Sequence, residues 1–127
     1  MRKMSTFLIT GSNRGIGLEL CKQIHKRGDE VIATCREPSQ ELINLGVRIE
    51  ENIDITSEES INCLSKKLCG VNLDCLINNA GIYEFNSFES LDKKSILHQF
   101  EVNALSPIFM TQSLKPLLKR SSKIAFI

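Results

Sequence analysis

The fold is decided by the stretch Thr10-Gly11-Ser12-Asn13-Arg14-Gly15-Ile16-Gly17. It leaves the apolar run Phe7-Leu8-Ile9. It opens a segment in which Ile16, Leu20 and Ile24, with Cys21 beside them, recur at helical spacing until Gly28, a natural C-terminal stop. Each glycine has a mechanical reason. Gly11 permits a tight exit from a strand. Gly15 lets the backbone approach a pyrophosphate where a side chain would intervene. Gly17 lets the helix lie close to the sheet. The orphan N–H groups that begin the helix then face the phosphate, and the helix dipole favours its charge by about 0.3–1 kcal/mol. A glycine-rich turn without a ligand is the competing reading. A strand before, a helix after and a second strand on schedule disfavour it.

Outward from this turn the chain keeps alternating. Val31-Ile32-Ala33-Thr34-Cys35 reads as a second strand. Pro38 opens a short helix whose apolar side is Leu42, Ile43 and Leu45, ended by Gly46. Val47 to Ile53 reads as a third strand. Thr56-Ser57-Glu58-Glu59 fits a capping box with Thr56 as the cap, opening a helix that carries Ile61, Leu64 and Leu68 to Gly70. Leu73 to Asn78 reads as a fourth strand. A long helix is predicted over 91–118, with Ile96, Leu97, Phe100, Leu105 and Phe109 as its apolar members. Pro107 should bend or divide it, unless it falls in a rearranged turn. Lys123 to Ile127 starts a fifth strand, and Ser121 and Ser122 precede it, at the amino end of the sheet. Such alternation means parallel strands with right-handed crossovers. Strands that are nearly continuous apolar runs belong to sheets covered on both faces. The expected fold class is α/β, a doubly wound Rossmann-like parallel sheet with helices on both faces, carried to the fifth strand as one domain over 1–127.

Composition excludes several alternatives. The 127 residues are 42% hydrophobic and 24% charged, with a formal net charge of +1, too apolar and too nearly neutral for a disordered chain. That balance offers no bulk attraction for nucleic acid or anionic lipid. No apolar run approaches the roughly 18 residues of a membrane span, and Phe7-Leu8-Ile9 after the basic Met1-Arg2-Lys3 is too short for a signal core. Five cysteines, at 21, 35, 63, 69 and 75, form no C-x-x-C pair. They are expected to be reduced thiols in a cytoplasmic protein, acting as small buried hydrophobes. With only His25 and His98 available, no metal site is expected.

The glycine spacing T-G-x-x-x-G-I-G at 10–17 resembles the short-chain dehydrogenase/reductase family, and three later segments extend the likeness. Asp54-Ile55-Thr56 looks like the family's adenine-contacting D-[VIL]-T element. Asn78-Asn79-Ala80-Gly81 matches its N-N-A-G element. Asn103, in Val102-Asn103-Ala104, stands where the family carries an asparagine of its long helix. The wording G-S-N-R-G-I-G most resembles the branch containing C-factor and related carbonyl reductases. The resemblance implies an NAD(P)-binding domain and hydride transfer between the cofactor and a carbonyl or alcohol. It places cofactor contacts along Gly11, Ser12, Asn13, Arg14, Gly15, Ile16 and Gly17, and further contacts at Arg36, Asp54 and Ile55, at Asn78 to Gly81, and at Val102.

Local chemistry separates the two nicotinamide cofactors. An NAD site usually ends its second strand in an acidic residue that binds the ribose 2′-hydroxyl. Here the strand ends Thr34-Cys35-Arg36. A guanidinium suits a 2′-phosphate, to which it offers charge and a planar fork of donors. Arg14 is a second candidate for that group. By resemblance the pair is the family's NADP(H) pattern, so NADP(H) is favoured over NAD(H). The alternative is that both arginines are solvated, with Glu37 pairing Arg36. Asp54 either caps the following helix or accepts from the adenine amino group, with the Ile55 amide nearby. Asn78 and Asn79 are either turn residues or contact ribose and backbone at the carboxyl edge of the sheet.

The family's proton donor is a Tyr, assisted by a Lys four residues later and a Ser that orients substrate, all beyond the fifth strand. This chain reaches Ile127 before them. Its one tyrosine, Tyr83, is followed four residues later by Ser87 and is expected to be a wall or packing residue. Asn103 is the one member of the family's catalytic set present, where its role is to hold a water in the proton relay. A polar residue satisfied within a helix is the other reading. The chain is therefore expected to bind a dinucleotide, to be inactive alone, and to act on a small carbonyl substrate only if the missing half is supplied. A non-catalytic nucleotide-binding module, a homo- or heterodimer through the long helix 91–118, and a gene remnant are the alternatives. Lys115, Lys119, Arg120 and Lys123 are expected to form a solvated basic face.

Overall fold

In a computed structural model that describes residues 2–127, the apolar runs become strands β1 (Thr6–Ile9), β2 (Glu30–Thr34), β3 (Arg48–Glu50), β4 (Leu73–Asn78) and β5 (Leu118–Phe126). Met1 lies outside the described residues. The strands form one parallel sheet in the order β3-β2-β1-β4-β5. The chain builds outward from β1 to β3, then crosses to the other side for β4 and β5. The reversal falls between β1 and β4. In sheets of this kind the crevice beyond the carboxyl ends of the two strands flanking such a reversal is where ligands bind.

The helices follow from their sequences. α1 (Gly15–Lys26) ends in His25 and Lys26, which suit the negative end of its dipole, and Gly28 follows with φ of 92°. α2 (Gln40–Asn44) starts at Ser39, whose hydroxyl accepts from Leu42 N. α3 (Glu58–Lys67) carries acids in its first turn and lysines in its last. α4 (Lys93–Phe100) is capped by Asp92, which accepts from Lys94 N and Ser95 N. A π-helical turn over Glu101–Leu105 then leads into α5 (Ser106–Leu114) and a 3₁₀ turn over Lys115–Leu117.

Two apolar layers cover the sheet. On one face Leu18, Cys21 and Ile24 of α1 and Leu42 of α2 pack on Ile9, Val31, Ala33 and Ile77. On the other, Ile61, Leu64 and Leu68 meet Met110, Leu114 and Leu117 over Leu8, Ile32, Leu73 and Leu76. Full burial of such side chains contributes about 1.5–3 kcal/mol each, and leucines 8, 64, 68, 73, 76 and 114 are all fully buried. The expected doubly wound sheet with helices on both faces is the one observed.

Several boundaries and faces differ from expectation. β3 is only Arg48–Glu50, because Asn52 turns the chain with φ of 61° and the backbone of 52–53 bonds back to Cys35 and Arg36 instead. Ser57, not Thr56, caps α3: its hydroxyl accepts from Ser60 N, while Thr56 is held by Asp54. Ile16 points outward, 63% exposed, and the buried face of α1 is Gly17, Leu18, Cys21 and Ile24. The expected helix 91–118 begins at Lys93, is widened by the π turn, and ends before Leu118, which already belongs to β5. Ile96, Leu97, Phe100, Leu105 and Phe109 lie on its exposed side, whereas Val102, Met110 and Leu114 face the sheet. β5 starts five residues earlier than expected, so Ser121 and Ser122 lie within it, still toward its amino end, and Ser122 Oγ donates to Leu73 O at 2.6 Å. Cys21 and Cys35 are buried, but Cys63 and Cys69 are exposed and Cys75 is half-buried. Lys119 is not merely solvated: its ammonium pairs with Asp74 at 2.7 Å and holds that carboxyl below the usual range, assisted by Thr6 N.

Candidate functional site

The crevice is built by two turns that cross at the reversal of the sheet. Thr10 opens the first and is buried; its Oγ1 accepts from both Asn79 N and Ala80 N at 3.0 Å. Asn79 returns the bond, its Nδ2 donating to Thr10 O at 3.1 Å and Gly11 O at 3.2 Å. The turns touch so closely that a Cβ on Gly11 would stand 2.8 Å from Ala80 Cα, and Gly11 also has φ of 65°. A Cβ on Gly17 would press on the Gly11 carbonyl and lie 2.5 Å from Asn79 Nδ2. Gly15, with φ of 57°, differs: a Cβ there meets nothing within 4 Å, so its backbone borders open space.

That open space is where the helix begins. The first amide of α1 to bond within the helix is Leu18 N, to Arg14 O at 3.3 Å, and Arg14 itself offers no side-chain cap. Among the described residues the amides of Gly15, Ile16 and Gly17 find no acceptor. Three donors at the positive end of a helix dipole, beside a glycine with no side chain, make a cradle for a phosphate-bearing group. The residues present fit a dinucleotide there.

Ser12 is fully buried: its Oγ donates to Ile9 O at 2.6 Å and its amide to Thr34 O at 3.2 Å, so it shapes the turn from within. Burial pushes the neighbouring Cys21 thiol up, with Ser12 a lesser, opposing influence. Asn13 spends its carboxamide on the neighbouring turn, Oδ1 accepting from Ser39 N, while its carbonyl accepts from Ser39 Oγ at 2.8 Å. Arg14 and Arg36 are exposed, and among the described residues neither forms an ion pair; Arg36 is not paired with Glu37.

Asp54 Oδ1 accepts from Thr56 N at 2.9 Å and Thr56 Oγ1 at 2.7 Å, bonds that hold its carboxyl below the ordinary range, with Arg36 a lesser, electrostatic contributor. It stabilises the turn before α3 without being the cap residue. Ile55 is half-buried against the second apolar layer. Asn78 is buried and donates to Thr111 Oγ1 at 3.2 Å, tying β4 to α5. Ala80 is half-buried and Gly81 exposed, and a Cβ on Gly81 would stand 3.2 Å from Asn103 Oδ1. Val102 is buried in the π turn. Asn103 grips Ile82 by its backbone, Oδ1 accepting from Ile82 N and Nδ2 donating to Ile82 O, both at 2.8 Å. One turn earlier on the helix, Gln99 grips Glu84 in the same manner, at 3.1 and 2.9 Å. The two carboxamides dock 82–84 like a strand and leave Tyr83 outward, 82% exposed, so it is not packed as expected.

The structure thus brings the 10–17 turn and the 78–81 turn together, with Arg36 displayed from the turn after β2. Sequence reasoning missed Thr10, Ser39 and Gln99 as organising residues. Thr10 was visible as the threonine of T-G, and Ser39 as a capping serine before an apolar segment; nothing in the sequence singles out Gln99. Among the described residues no group of His, Cys, Asp and Glu is placed to hold a metal ion, and no helix is long and apolar enough to cross a membrane.

Comparison with known proteins agrees with this geometry. Residues 5–127 match the short chain dehydrogenase family. A 1-hydroxy-2-glutathionyl-2-methyl-3-butene dehydrogenase of Rhodococcus sp. (strain AD45) is 35% identical over 126 residues, 98% of this chain and 56% of the relative. An uncharacterized oxidoreductase of Schizosaccharomyces pombe is 33% identical over 94% of this chain and 41% of its own length. The chain spans about half the length of the curated relatives it matches. Among solved structures, a short-chain dehydrogenase/reductase from Burkholderia multivorans with bound NADP superposes with a TM-score of 0.90 at 28% identity, covering 98% of this chain and 58% of that one. A carbonyl reductase from Pseudomonas aeruginosa gives 0.88 at 28% identity, over 97% and 61%. With its glycine turn, its Asn79 crossing and its parallel sheet all in the family's order, the chain belongs to the short-chain dehydrogenase family.

Proposed function

We propose that this chain is the NADP(H)-holding portion of a short-chain dehydrogenase/reductase of the C-factor and carbonyl-reductase branch, whose activity is hydride transfer between NADP(H) and a carbonyl or alcohol substrate. The observation that carries the reading is the trio of unsatisfied amides at Gly15, Ile16 and Gly17, with open space at Gly15 and with Arg14 and Arg36 exposed and without carboxylate partners. When bound, the nicotinamide is the group that carries the hydride. The chain's own residues bind and orient. The α1 amides hold the pyrophosphate. Arg36 and Arg14 hold the 2′-phosphate by charge-assisted bonds. Asp54, with one oxygen still free of Thr56, and the Ile55 amide hold the adenine edge. The 78–81 turn borders the ribose, and Asn103 and Val102 brace that wall.

These 127 residues alone are proposed not to transfer hydride. Proton donation at the developing alkoxide typically contributes about 10²–10⁴-fold, and the sole tyrosine, Tyr83, has Ser87 rather than Lys four residues on. Five cysteines, all free in the structure, support a reducing, cytoplasmic setting. A second reading is a nucleotide-binding module that pairs with another copy or with a longer relative. The outward residues Ile96, Leu97, Phe100 and Ile108 along α4 and α5 favour it, since exposed apolar patches of this kind mark contact surfaces.

Fluorescence titration of the purified chain with NADPH and NADH tests the proposal. NADPH is expected to bind more tightly, and Arg36→Asp to weaken NADPH more than NADH. No saturable binding of either at millimolar concentration would overturn the cofactor reading. Equal effects of Arg36→Asp on both would overturn the 2′-phosphate assignment.

A further inference from the structure

The turn that bears Arg14 and the turn that bears Arg36 belong to different crossovers of the fold, and one residue joins them. Ser39 donates its amide to Asn13 Oδ1 and its hydroxyl to Asn13 O at 2.8 Å. The same hydroxyl accepts from Leu42 N at 3.3 Å as the N-cap of α2. The side-chain and main-chain oxygens of Asn13 are thereby clasped by one residue. Arg14 follows Asn13 directly, and Arg36 precedes Ser39 by three positions. The Arg36 carbonyl is itself held by Asn52 N at 2.9 Å, so the clasp ties an otherwise anchored turn to the glycine-rich one, beyond the bond from Ser12 N to Thr34 O at the end of β2.

We infer that Ser39 is a positioning residue for cofactor choice: by clasping Asn13 it sets the spacing of Arg14 and Arg36, so that two guanidiniums meet one 2′-phosphate. This rests on the NADP(H) reading above. A phosphate monoester carries close to two negative charges at neutral pH and gains most when both arginines reach it without first being ordered. Loosening the clasp frees one turn against the other. That should weaken a contact shared by both turns more than contacts made within either. The pyrophosphate meets amides of one helix only and should feel the change little.

The test compares two probes on the purified chain by calorimetry: 5′-AMP, and 2′,5′-ADP, the same nucleotide with a 2′-phosphate added. Ser39→Ala and Ser39→Gly remove the hydroxyl. Glycine remains an acceptable N-cap, so the second variant keeps the experiment decisive if the first unfolds. Loss of one such bond is expected to weaken 2′,5′-ADP by about 3- to 10-fold with 5′-AMP changed less than about twofold. Ser39→Thr, which restores the hydroxyl, should restore the preference, while Ser39→Gly, which largely keeps the cap of α2, separates the clasp from loosening of that helix. Ser39→Gly combined with Arg36→Gln should cost less than the sum of the two, as coupled sites do. If Arg36→Gln removes the preference for 2′,5′-ADP while both Ser39 variants keep it, the inference about Ser39 fails and the NADP(H) reading stands. If Arg36→Gln leaves the preference intact, or the folded chain takes up neither probe, the NADP(H) reading fails and this inference with it.

Discussion

Asn103 and Ile82 are joined by two hydrogen bonds of 2.8 Å, one from each end of the asparagine carboxamide to the backbone N–H and C=O of the isoleucine. The side chain completes the pairing that a neighbouring strand would otherwise give. It fixes the segment that leaves the Asn79 turn against the π-helical stretch at 101–105. Pro107 explains why the helix widens there: it has no N–H to offer the Asn103 carbonyl four residues earlier.

Replacing Asn103 tests this directly. Asn103→Ala loses both bonds and should destabilise the chain by roughly 1–2 kcal/mol in urea melts. Asn103→Asp retains an acceptor for Ile82 N but sets a carboxylate against Ile82 O and should be no better. Unchanged stability in both would show that the clamp contributes nothing.

The glycines of the turn should not be equivalent. Gly17→Ala places a methyl against the Gly11 carbonyl and Asn79 Nδ2, backbone and clamp that have no room to move. Overpacking of this kind costs about 1–3 kcal/mol or more, and nucleotide binding should be lost with it. Gly15→Ala meets no atom and pays only for its left-handed φ, roughly 1–2 kcal/mol. Equal stability of the two variants in thermal melts would contradict the crossing described here.

Thr10 satisfies two amides with one oxygen. Thr10→Val keeps the shape and removes the acceptor, stranding Asn79 N and Ala80 N. The expected loss is about 1–3 kcal/mol for each unsatisfied group that stays buried. Thr10→Ser should recover most of it. A valine variant as stable as the parent would mean that the turns are held by packing alone.

Acid should expose the role of Asp29. Its side chain is fully covered; Ser5 N bonds Oδ1 at 3.0 Å, and Arg2 and Arg27 pair with the carboxylate at 3.1 and 2.7 Å. The Ser5 bond first, then the arginines, hold the carboxyl down at about 2. The group binds its proton less readily folded than unfolded. Its contribution is therefore complete above the unfolded value, near 4, and is lost as pH falls from there toward 2. Melting temperature against pH should drop through that window, and Asp29→Asn should flatten the drop. A parallel pair of curves would refute the assignment.

Much of this was legible in the sequence, for identifiable reasons. β4 is legible to its residues, Leu73–Asn78, because Leu73, Cys75, Leu76 and Ile77 make a nearly continuous apolar run, as strands covered on both faces do. The glycine turn was legible because only glycine meets its steric demands. The long helical stretch is legible, but which of its faces meets the sheet is not. It is apolar on two sides, and periodicity does not choose between the stripes: Val102, Met110 and Leu114 are buried, while Ile96 and Phe100 stay exposed. Thr56 lost the cap of α3 to Ser57 because Asp54 already engages it. Contacts between side chains and distant backbone, such as Ser39 with Asn13 and Gln99 with Glu84, have no local signature, since they exist only once the sheet has brought their turns together.

The central claim is that the amides opening α1 hold the linked phosphates of a nucleotide. The most direct measurement is the ¹H–¹⁵N spectrum of the labelled chain during titration with NADPH. The account predicts saturable shifts concentrated at Gly15, Ile16 and Gly17, with weaker ones at Arg36 and the 78–81 turn. A spectrum in which those three amides stay still while NADPH binds elsewhere, or does not bind at all, would contradict it.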